Sequence, residues 1–148
     1  MFPKADIPVF QLSLDLTKPP SVHFDLAREL KPLREKGVLI IGSGNLVHNL
    51  GVLAPGAPVY GWAEDFDSKM SKAIEDRDFQ RVVQAGSLGR VAKLSHPTLE
   101  HFLPTLFSLG VADAKDDYVS STALSRWPQS RCDRSYSLKS TGPSLPLL

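Results

Sequence analysis

An uninterrupted apolar run at residues 38–41 (VLII), followed at once by the glycine-rich and polar segment 42–50 (GSGNLVHNL), constrains the fold of this chain more than any other feature. Continuous apolar runs of this length are typical of strands that are buried on both faces of a parallel sheet. Residues 7–14 (IPVFQLSL) mix β-branched and aromatic side chains and predict a further, largely buried strand. We therefore expect an α/β fold in which helices flank a sheet.

A helix is predicted between these two strands, after the proline pair at positions 19 and 20. Pro32 is expected to bend or end this helix, and Gly37 to supply the left-handed residue that terminates it. A crossover of this kind joins parallel strands, which would place segment 42–50 at the carboxyl edge of the sheet, where open α/β sheets bind ligands. The side chains predicted to form the apolar face of the helix are Val22, Leu26, Leu30 and Leu33.

Two more amphipathic helices are predicted after a loop rich in Pro and Gly at residues 51–61. The first helix carries Trp62, Phe66, Met70 and Ile74 on one face. The second is expected to begin at Pro97 and Thr98 and to bury Phe102, Leu106 and Leu109 before it closes at Gly110. Residues 84–95 have only weak patterning. Residues 120–148 turn to Ser, Pro and isolated basic residues, so no packed element is predicted there.

Charge and cysteine content limit the classes of partner and of site. The formal net charge is +1, with acids and bases mixed along the chain, so neither nucleic acid nor an anionic membrane is expected as a partner. The single cysteine, Cys132, cannot form an internal disulfide or a thiolate metal site, so any metal ligands must offer nitrogen or oxygen. With no apolar segment typical of a signal peptide or of a membrane span, a cytoplasmic location is expected.

Segment 42–50 is the first candidate site. The glycines at 42 and 44 allow a tight turn and a close approach to a ligand, while Ser43, Asn45 and His48 bring polar groups to the predicted sheet edge. His48 could serve as an acid, a base or a metal ligand, and a purely structural histidine is an equal alternative. The segment lacks the third glycine of a dinucleotide fingerprint and the Lys of a P-loop, which argues against nucleotide binding.

The segment 96–104 (HPTLEHFLP) is the second candidate site. His101 falls in the first turn of the predicted helix, where a fixed backbone can aim its ring, whereas His96 precedes a proline in a predicted loop. Glu100 is adjacent to His101 but is expected to point elsewhere on the helix. His23 is expected at the surface or its boundary. The carboxylates of Asp15, Asp65 and Asp67 are expected to be solvated charges.

Three stretches together resemble one family: residues 2–15 (FPKADIPVFQLSLD), 32–50 (PLREKGVLIIGSGNLVHNL) and 96–104. Their order and spacing are similar to the second half of the class III extradiol (LigB-type) ring-cleavage dioxygenases, in the 4,5-DOPA dioxygenase branch. The resemblance covers about residues 1–112. It divides the chain into 1–112, the C-terminal part of a catalytic domain, and 113–148, a divergent and irregular tail.

The resemblance implies an α/β fold with a partial mixed sheet flanked by helices. It also implies a non-haem metal, iron(II) or zinc, and an enzyme that opens a DOPA-like catechol with O2. His101 matches the late metal-binding histidine of the family's P-T-x-E-H pattern. His48 matches the histidine of its GSGNxVHN pattern, which acts as acid or base and can also touch the metal. Ser43 and Asn45 of the same pattern are expected to bind the substrate.

The resemblance also implies that part of the site is missing from this chain. The family's remaining metal-binding histidines, one of them in an HGSP-like segment, belong to an N-terminal half that has no counterpart here. Since a catalytic ion normally needs three protein ligands, we expect a truncated LigB-like fold that pairs with a chain supplying the missing half. The alternative is a catalytically inactive fragment, or a protein-interaction module that pairs through an unprotected sheet edge.

Overall fold

A computed structural model describes the chain except for residues 1–3, 5, 53, 55–57, 123–133 and 140–148. The described part is mostly helical. Its α-helices are α1 (Pro20–Leu30), α2 (Pro32–Glu35), α3 (Gly61–Glu75), α4 (Phe79–Val83), α5 (Arg90–Ser95) and α6 (Leu103–Gly110), with short 3-10 helices at Leu50–Val52 and Ala85–Leu88. Two strands follow, β1 (Asp117–Thr122) and β2 (Arg134–Lys139), and they pair antiparallel with Asp117 opposite Lys139. None of the described helices has the length and apolar character needed to cross a bilayer.

The predicted mixed sheet does not form within the described residues. Residues 7–14 and 38–41 run without regular secondary structure, and β1–β2 is the only ladder in the part of the chain that is described. Phe10 is 93% exposed and Leu39 74% exposed, so the expectation of two largely buried strands is wrong for these residues. A strand is stabilised by hydrogen bonds to a neighbouring strand, and these two segments have none to pair with here.

Helix α1 buries a different face from the one that the apolar spacing predicts. Val22 and Leu26 are substantially exposed, while His23, Phe24 and Ala27 are buried. The cause is the contact with α6, where a Cβ on Gly110 would lie 2.5 Å from the Cβ of Ala27 and 2.9 Å from the Phe24 carbonyl oxygen. The absence of a side chain at 110 therefore allows the two helices to approach closely.

His23 faces α6 and is not a surface residue. Its ring lies edge-on to Phe107, with centroids 6.2 Å apart, and its Nδ1 lies 3.2 Å from the Pro19 carbonyl oxygen. The prediction of a surface or boundary position is wrong, because α1 turns the face with His23, and not the one with Val22, toward the core.

Other predicted helical features are confirmed. α1 ends before Pro32, and Gly37 has a φ of 80°, the left-handed conformation predicted for it. Phe66, Met70 and Ile74 of α3 are buried together with Phe102, Leu106 and Leu109 at α6. The weakly patterned stretch 84–95 nevertheless contains a 3-10 turn and α5. Residues 53 and 55–57 of the loop predicted at 51–61 lie outside the described residues.

A partly buried ion pair joins α2 to the segment before β1. Asp116 is almost fully buried and accepts two hydrogen bonds from the Arg34 guanidinium, at 2.6 and 2.8 Å. Arg34 also donates to the Val111 carbonyl oxygen at 2.7 Å, and Arg77 donates to the Asp116 carbonyl oxygen. Burial alone would raise the pKa of Asp116, but the hydrogen bonds and charge of Arg34 outweigh it and hold that pKa below its usual value.

The ordered packing therefore continues past residue 112. Tyr118 of β1 packs edge-on to Phe79 and lies under the Arg77 guanidinium. β1 and β2 both lie in the stretch for which the sequence predicts an irregular tail, because backbone pairing between two distant polar segments leaves no local period to detect. The division of the chain at residue 112 stays a prediction.

Candidate metal centre

Residues 42–49, here called the elbow, pack tightly against residues 94–104, here called the histidine turn. A Cβ on Gly42 would lie 2.1 Å from the Pro104 carbonyl oxygen, and one on Gly44 would lie 2.1 Å from the carbonyl oxygen of His101. No side chain fits at such distances. The two glycines thus allow a close approach as predicted, but the neighbour that they approach is the backbone after α5, at and beyond His101.

Hydrogen bonds join the elbow to the residues on both sides of α5's C-terminal end. The backbone N–H of Asn45 donates to the His101 carbonyl oxygen at 2.8 Å, and that of His48 donates to the Ser95 carbonyl oxygen at 2.9 Å. The Asn49 side-chain amide donates to the Leu94 carbonyl oxygen at 2.7 Å. Residues 45–49 of the elbow are therefore fixed at three points to the same short stretch of chain.

This packing brings the two predicted site histidines together. The rings of His48 and His101 are stacked, with centroids 3.6 Å apart and planes 16° from parallel. Both residues are only partly buried, so a solvent-borne ligand can reach them. Their roles in catalysis and metal binding remain predictions, but the convergence on which those roles depend is present.

Glu100 joins the pair, contrary to the expectation that it points elsewhere. Its carboxylate, the His48 ring and the His101 ring each offer a ligand atom, and these atoms all lie within 4.8 Å of one another. The predicted helix does not extend to these residues, since α6 begins at Leu103 and not at Thr98. Pro104 explains the late start, because a proline further inside a helix would clash with the carbonyl four residues earlier, that of Glu100.

The Glu100 carboxylate is ionised at neutral pH. The Thr98 hydroxyl donates a hydrogen bond of 2.7 Å to its Oε1. This bond, the Glu100 backbone amide and the nearby imidazoles of His101 and His48 lower the pKa of Glu100 below its usual value. A charged oxygen beside two imidazole nitrogens is a donor set of two histidines and one carboxylate, which suits non-haem iron(II) and is compatible with zinc.

The two residues expected to bind substrate lie on the same elbow. Asn45 is partly buried, and its backbone touches His101 directly. Ser43 is exposed and lies between the two closely packed glycines. Substrate binding by Ser43 and Asn45 stays a prediction.

His96, placed by the sequence in a loop, is buried beside the site. Its Nε2 donates to the Leu46 carbonyl oxygen, and its ring lies against Phe66 and Phe102. Burial lowers the pKa of His96 to about 4, so the ring is neutral. A histidine before a proline gives no periodic signal, and its burial could not be read from the sequence.

The three aspartates expected to be solvated lie outside this cluster. Asp65 pairs with Lys69 at 2.7 Å, and Asp15 accepts a hydrogen bond of 2.6 Å from the Thr17 hydroxyl. Asp67 is buried within α3, so the expectation is wrong for that residue, which lies on the face of α3 next to Phe66.

Comparison with known proteins gives a consistent match. The family model described as the catalytic LigB subunit of aromatic ring-opening dioxygenase matches residues 1–129, a stretch that includes β1. The chain is 37% identical over 124 residues to the 4,5-DOPA dioxygenase extradiol of Escherichia coli strain K12, covering 78% of this chain and 44% of that protein. It is 38% identical over 113 residues to the protein of the same name from Beta vulgaris, covering 76% and 42%.

A solved structure resembles the fold as well. The crystal structure of an uncharacterized protein from Escherichia coli K12 superposes with a TM-score of 0.71 at 29% sequence identity, covering 93% of this chain and 57% of that chain. The chain thus spans less than half the length of the two dioxygenases that it resembles.

Proposed function

Since the chain belongs to the LigB family of aromatic ring-opening dioxygenase subunits, we propose that it carries part of the active site of an extradiol dioxygenase that opens a DOPA-like catechol with O2. The observation that carries this proposal is the convergence of His48, Glu100 and His101 on one partly exposed point. The similarity to 4,5-DOPA dioxygenases supports the choice of substrate class.

His101 and the Glu100 carboxylate would hold the metal, and the ion when bound would supply a common site at which the catechol oxygens and O2 are held and activated. With His48, which can also touch the metal, the donor set is two histidines and one carboxylate, which favours iron(II), with zinc as a competitor for the same ligands. Thr98 would keep one Glu100 oxygen occupied and leave the other for the metal. The carboxylate is acidic enough to be charged at neutral pH, as a ligand must be.

His48 would act as the general base and acid. It lies against His101 and is partly exposed, so a catechol hydroxyl held next to the metal would be within reach of its ring. His48 would accept a proton from that hydroxyl on binding and return it as the ring opens. Ser43 and Asn45 would bind polar groups of the substrate at the mouth of the elbow. The single cysteine and an oxidisable iron centre favour a reducing, cytoplasmic compartment.

The metal centre is tested by metal analysis of the purified chain and of three variants. We expect stoichiometric iron(II) or zinc in the wild-type chain, and its loss in His101→Ala and in Glu100→Gln. Glu29→Gln is the matched control, because Glu29 is an exposed carboxylate on α1. A wild-type chain without metal, or a Glu100→Gln variant that binds as the wild type does, would contradict the proposed ligands.

The partner proposal rests on a surface that we call the open apolar face. Leu14 and Ile40 both pack on the cluster of Ala27, Phe107 and Val111, so segments 7–14 and 38–41 each contact the helical body at this cluster. Their remaining apolar side chains face outward. The open apolar face consists of Ile7, Val9, Phe10, Leu12, Leu39 and Ile41, each about half exposed or more.

We propose that strands from the rest of a LigB-type domain pair with these two segments and cover this face, which would produce the mixed sheet. Large apolar side chains that are exposed to solvent favour association with another polypeptide segment. The relatives have more than half of their length outside the part that this chain matches, which is enough to supply such strands. The same polypeptide would contribute the further metal ligand and the remaining walls of the substrate pocket.

Pairing is tested by expressing the chain together with the N-terminal portion of the Escherichia coli 4,5-DOPA dioxygenase and isolating the complex. We expect a one-to-one complex that Phe10→Asp or Leu39→Asp abolishes and that Lys18→Asp, at an exposed position outside the face, leaves intact. A chain that associates only with itself and does not bind the N-terminal portion would contradict the proposal.

An assay of turnover distinguishes an active enzyme from an inactive interaction module. The complex is mixed with iron(II), ascorbate and DOPA under air, and yellow semialdehyde is expected from it but not from the complex of the His48→Ala variant. A second candidate function, an inactive interaction module, is favoured by the open apolar face. Complex formation without any product would support that second function over the first.

A further inference from the structure

We propose that His96 is a positioning residue, which fixes the elbow through a side-chain hydrogen bond and so sets the distance between the His48 and His101 rings. The proposal rests on the proposed function only for its consequence in metal binding. Its geometric part can be tested on the chain without metal.

The His96 ring is held on several sides. The residue is 6% exposed, and its ring centroid lies 5.4 Å from that of Phe66 and 5.0 Å from that of Phe102. Its Nε2 donates to the Leu46 carbonyl oxygen. Because a carbonyl oxygen can only accept, Nε2 must carry the proton, and the tautomer of the ring is thereby fixed.

The partners of this ring lie next to the two site histidines. Leu46 comes two residues before His48 in the elbow, and Phe102 immediately follows His101 in the histidine turn. The His96 side chain therefore contacts both the segment that carries His48 and the segment that carries His101. The neighbouring links, from the backbone N–H groups of Asn45 and His48, cannot be removed by changing a side chain, whereas the His96 link can.

Packing alone is a poor explanation for a histidine at this position. Among the described residues, the buried Nδ1 of His96 has no hydrogen-bond partner. An unpaired buried acceptor destabilises the folded chain, and a phenylalanine among Phe66 and Phe102 would avoid it. The Nε2 hydrogen bond to the elbow is the feature that phenylalanine could not reproduce, so it is the feature that we take to be functional.

The test compares variants that keep or lose the donor. His96→Gln retains an N–H that can reach the Leu46 carbonyl oxygen, whereas His96→Phe and the smaller His96→Leu do not. The first readout is the NMR signal of the ring protons of His48 and His101 in the metal-free chain, since rings stacked at 3.6 Å shift one another's protons upfield. The second readout is the Kd for Co²⁺ or Zn²⁺.

We expect His96→Gln to retain the upfield shifts and the wild-type Kd, while His96→Phe and His96→Leu lose the shifts and bind metal about 10- to 100-fold more weakly, the usual effect of losing an outer-shell contact. Circular dichroism shows which variants are folded, and having two variants without a donor keeps the comparison valid if one of them does not fold. Unchanged shifts and Kd in a folded variant without the donor would overturn the proposal, as would equal losses in His96→Gln.

The two proposals fail in different ways. If the wild-type chain binds no metal but its histidine shifts still depend on the donor at position 96, the metal centre is refuted and the positioning role stands. If all variants bind metal equally well, the positioning role is refuted and the metal centre stands.

Discussion

Replacing Gly44 with alanine tests whether backbone contact sets the geometry of the site without changing any candidate ligand. A Cβ at position 44 would lie 2.1 Å from the His101 carbonyl oxygen and 3.1 Å from its carbonyl carbon. Real Cβ atoms essentially never come within 3.0 Å of a neighbouring atom, so the elbow and the histidine turn must separate by roughly 1 Å. Both neighbours are backbone, which cannot rotate away as a flexible side chain could.

Two effects follow from this separation. Overpacking of this kind destabilises a folded chain by about 1–3 kcal/mol, and weakening the 2.8 Å bond from Asn45 N–H to the His101 carbonyl oxygen would add about 1 kcal/mol. A metal site tolerates displacements of only about 0.2 Å from ideal ligand distances. We therefore expect metal affinity to fall by about 10- to 100-fold or more.

Urea denaturation and Zn²⁺ titration measure the two effects separately. Gly61→Ala is the matched control, because nothing lies within 4 Å of a Cβ there and the position is the first residue of α3. That control should leave metal affinity unchanged and alter the free energy of unfolding by less than about 1 kcal/mol. If Gly44→Ala binds metal and unfolds as the wild type does, the contact between the two backbones does not set the site.

Three further predictions concern stability. Gly110→Ala should destabilise the chain by about 1–3 kcal/mol in urea denaturation, because the added Cβ overlaps Ala27; an unchanged midpoint would contradict the close contact of α1 and α6. Asp116→Asn should cost roughly 2–4 kcal/mol, since it leaves the Arg34 charge partly buried without its partner, and Asp113→Asn, an exposed neighbour, should cost far less. His96 has a pKa of about 4 in the folded chain against 6.5 in the unfolded chain, so the unfolded chain binds more protons between these two pH values. The free energy of unfolding in urea should therefore fall by up to about 3 kcal/mol as the pH drops from 6.5 to 4. The fall should be smaller in His96→Gln.

The sequence predicted the parts of the fold that are determined locally. The period of α3 and the buried residues at α6 follow from side chains spaced for a helix, and both were correct. The elbow was recognised from its glycines and polar residues, and it carries His48 to His101 as expected. These features depend on neighbours that are close in the chain or on the family pattern.

What could not be predicted depends on contacts between distant residues. The apolar run at 38–41 reads as a buried strand, yet its burial requires a neighbouring strand that the described residues do not supply. Glu100 was assigned to a helix because Pro97 and Thr98 resemble a helix start, whereas Pro104 delays that start and frees Glu100 to face His48. The close contact of Gly110 with Ala27 and Phe24 determines which face of α1 is buried. Gly110 lies 80 or more residues after α1 in the chain, so the apolar spacing of α1 gives no sign of this contact.

The candidate site is held together by contacts within this chain, whereas burial of the open apolar face requires another polypeptide. The site can therefore form while that face remains exposed. The elbow is joined to the histidine turn by main-chain hydrogen bonds and by close glycine contacts, so the geometry of His48 and His101 does not depend on a completed sheet. Catalysis of ring opening requires more than converging ligands, because water must be excluded and the substrate must be held in one orientation. Residues that are only partly buried cannot provide that exclusion. Under the proposed function, the local structure would supply metal binding, while turnover would depend on the polypeptide that covers the surface of Phe10 and Leu39.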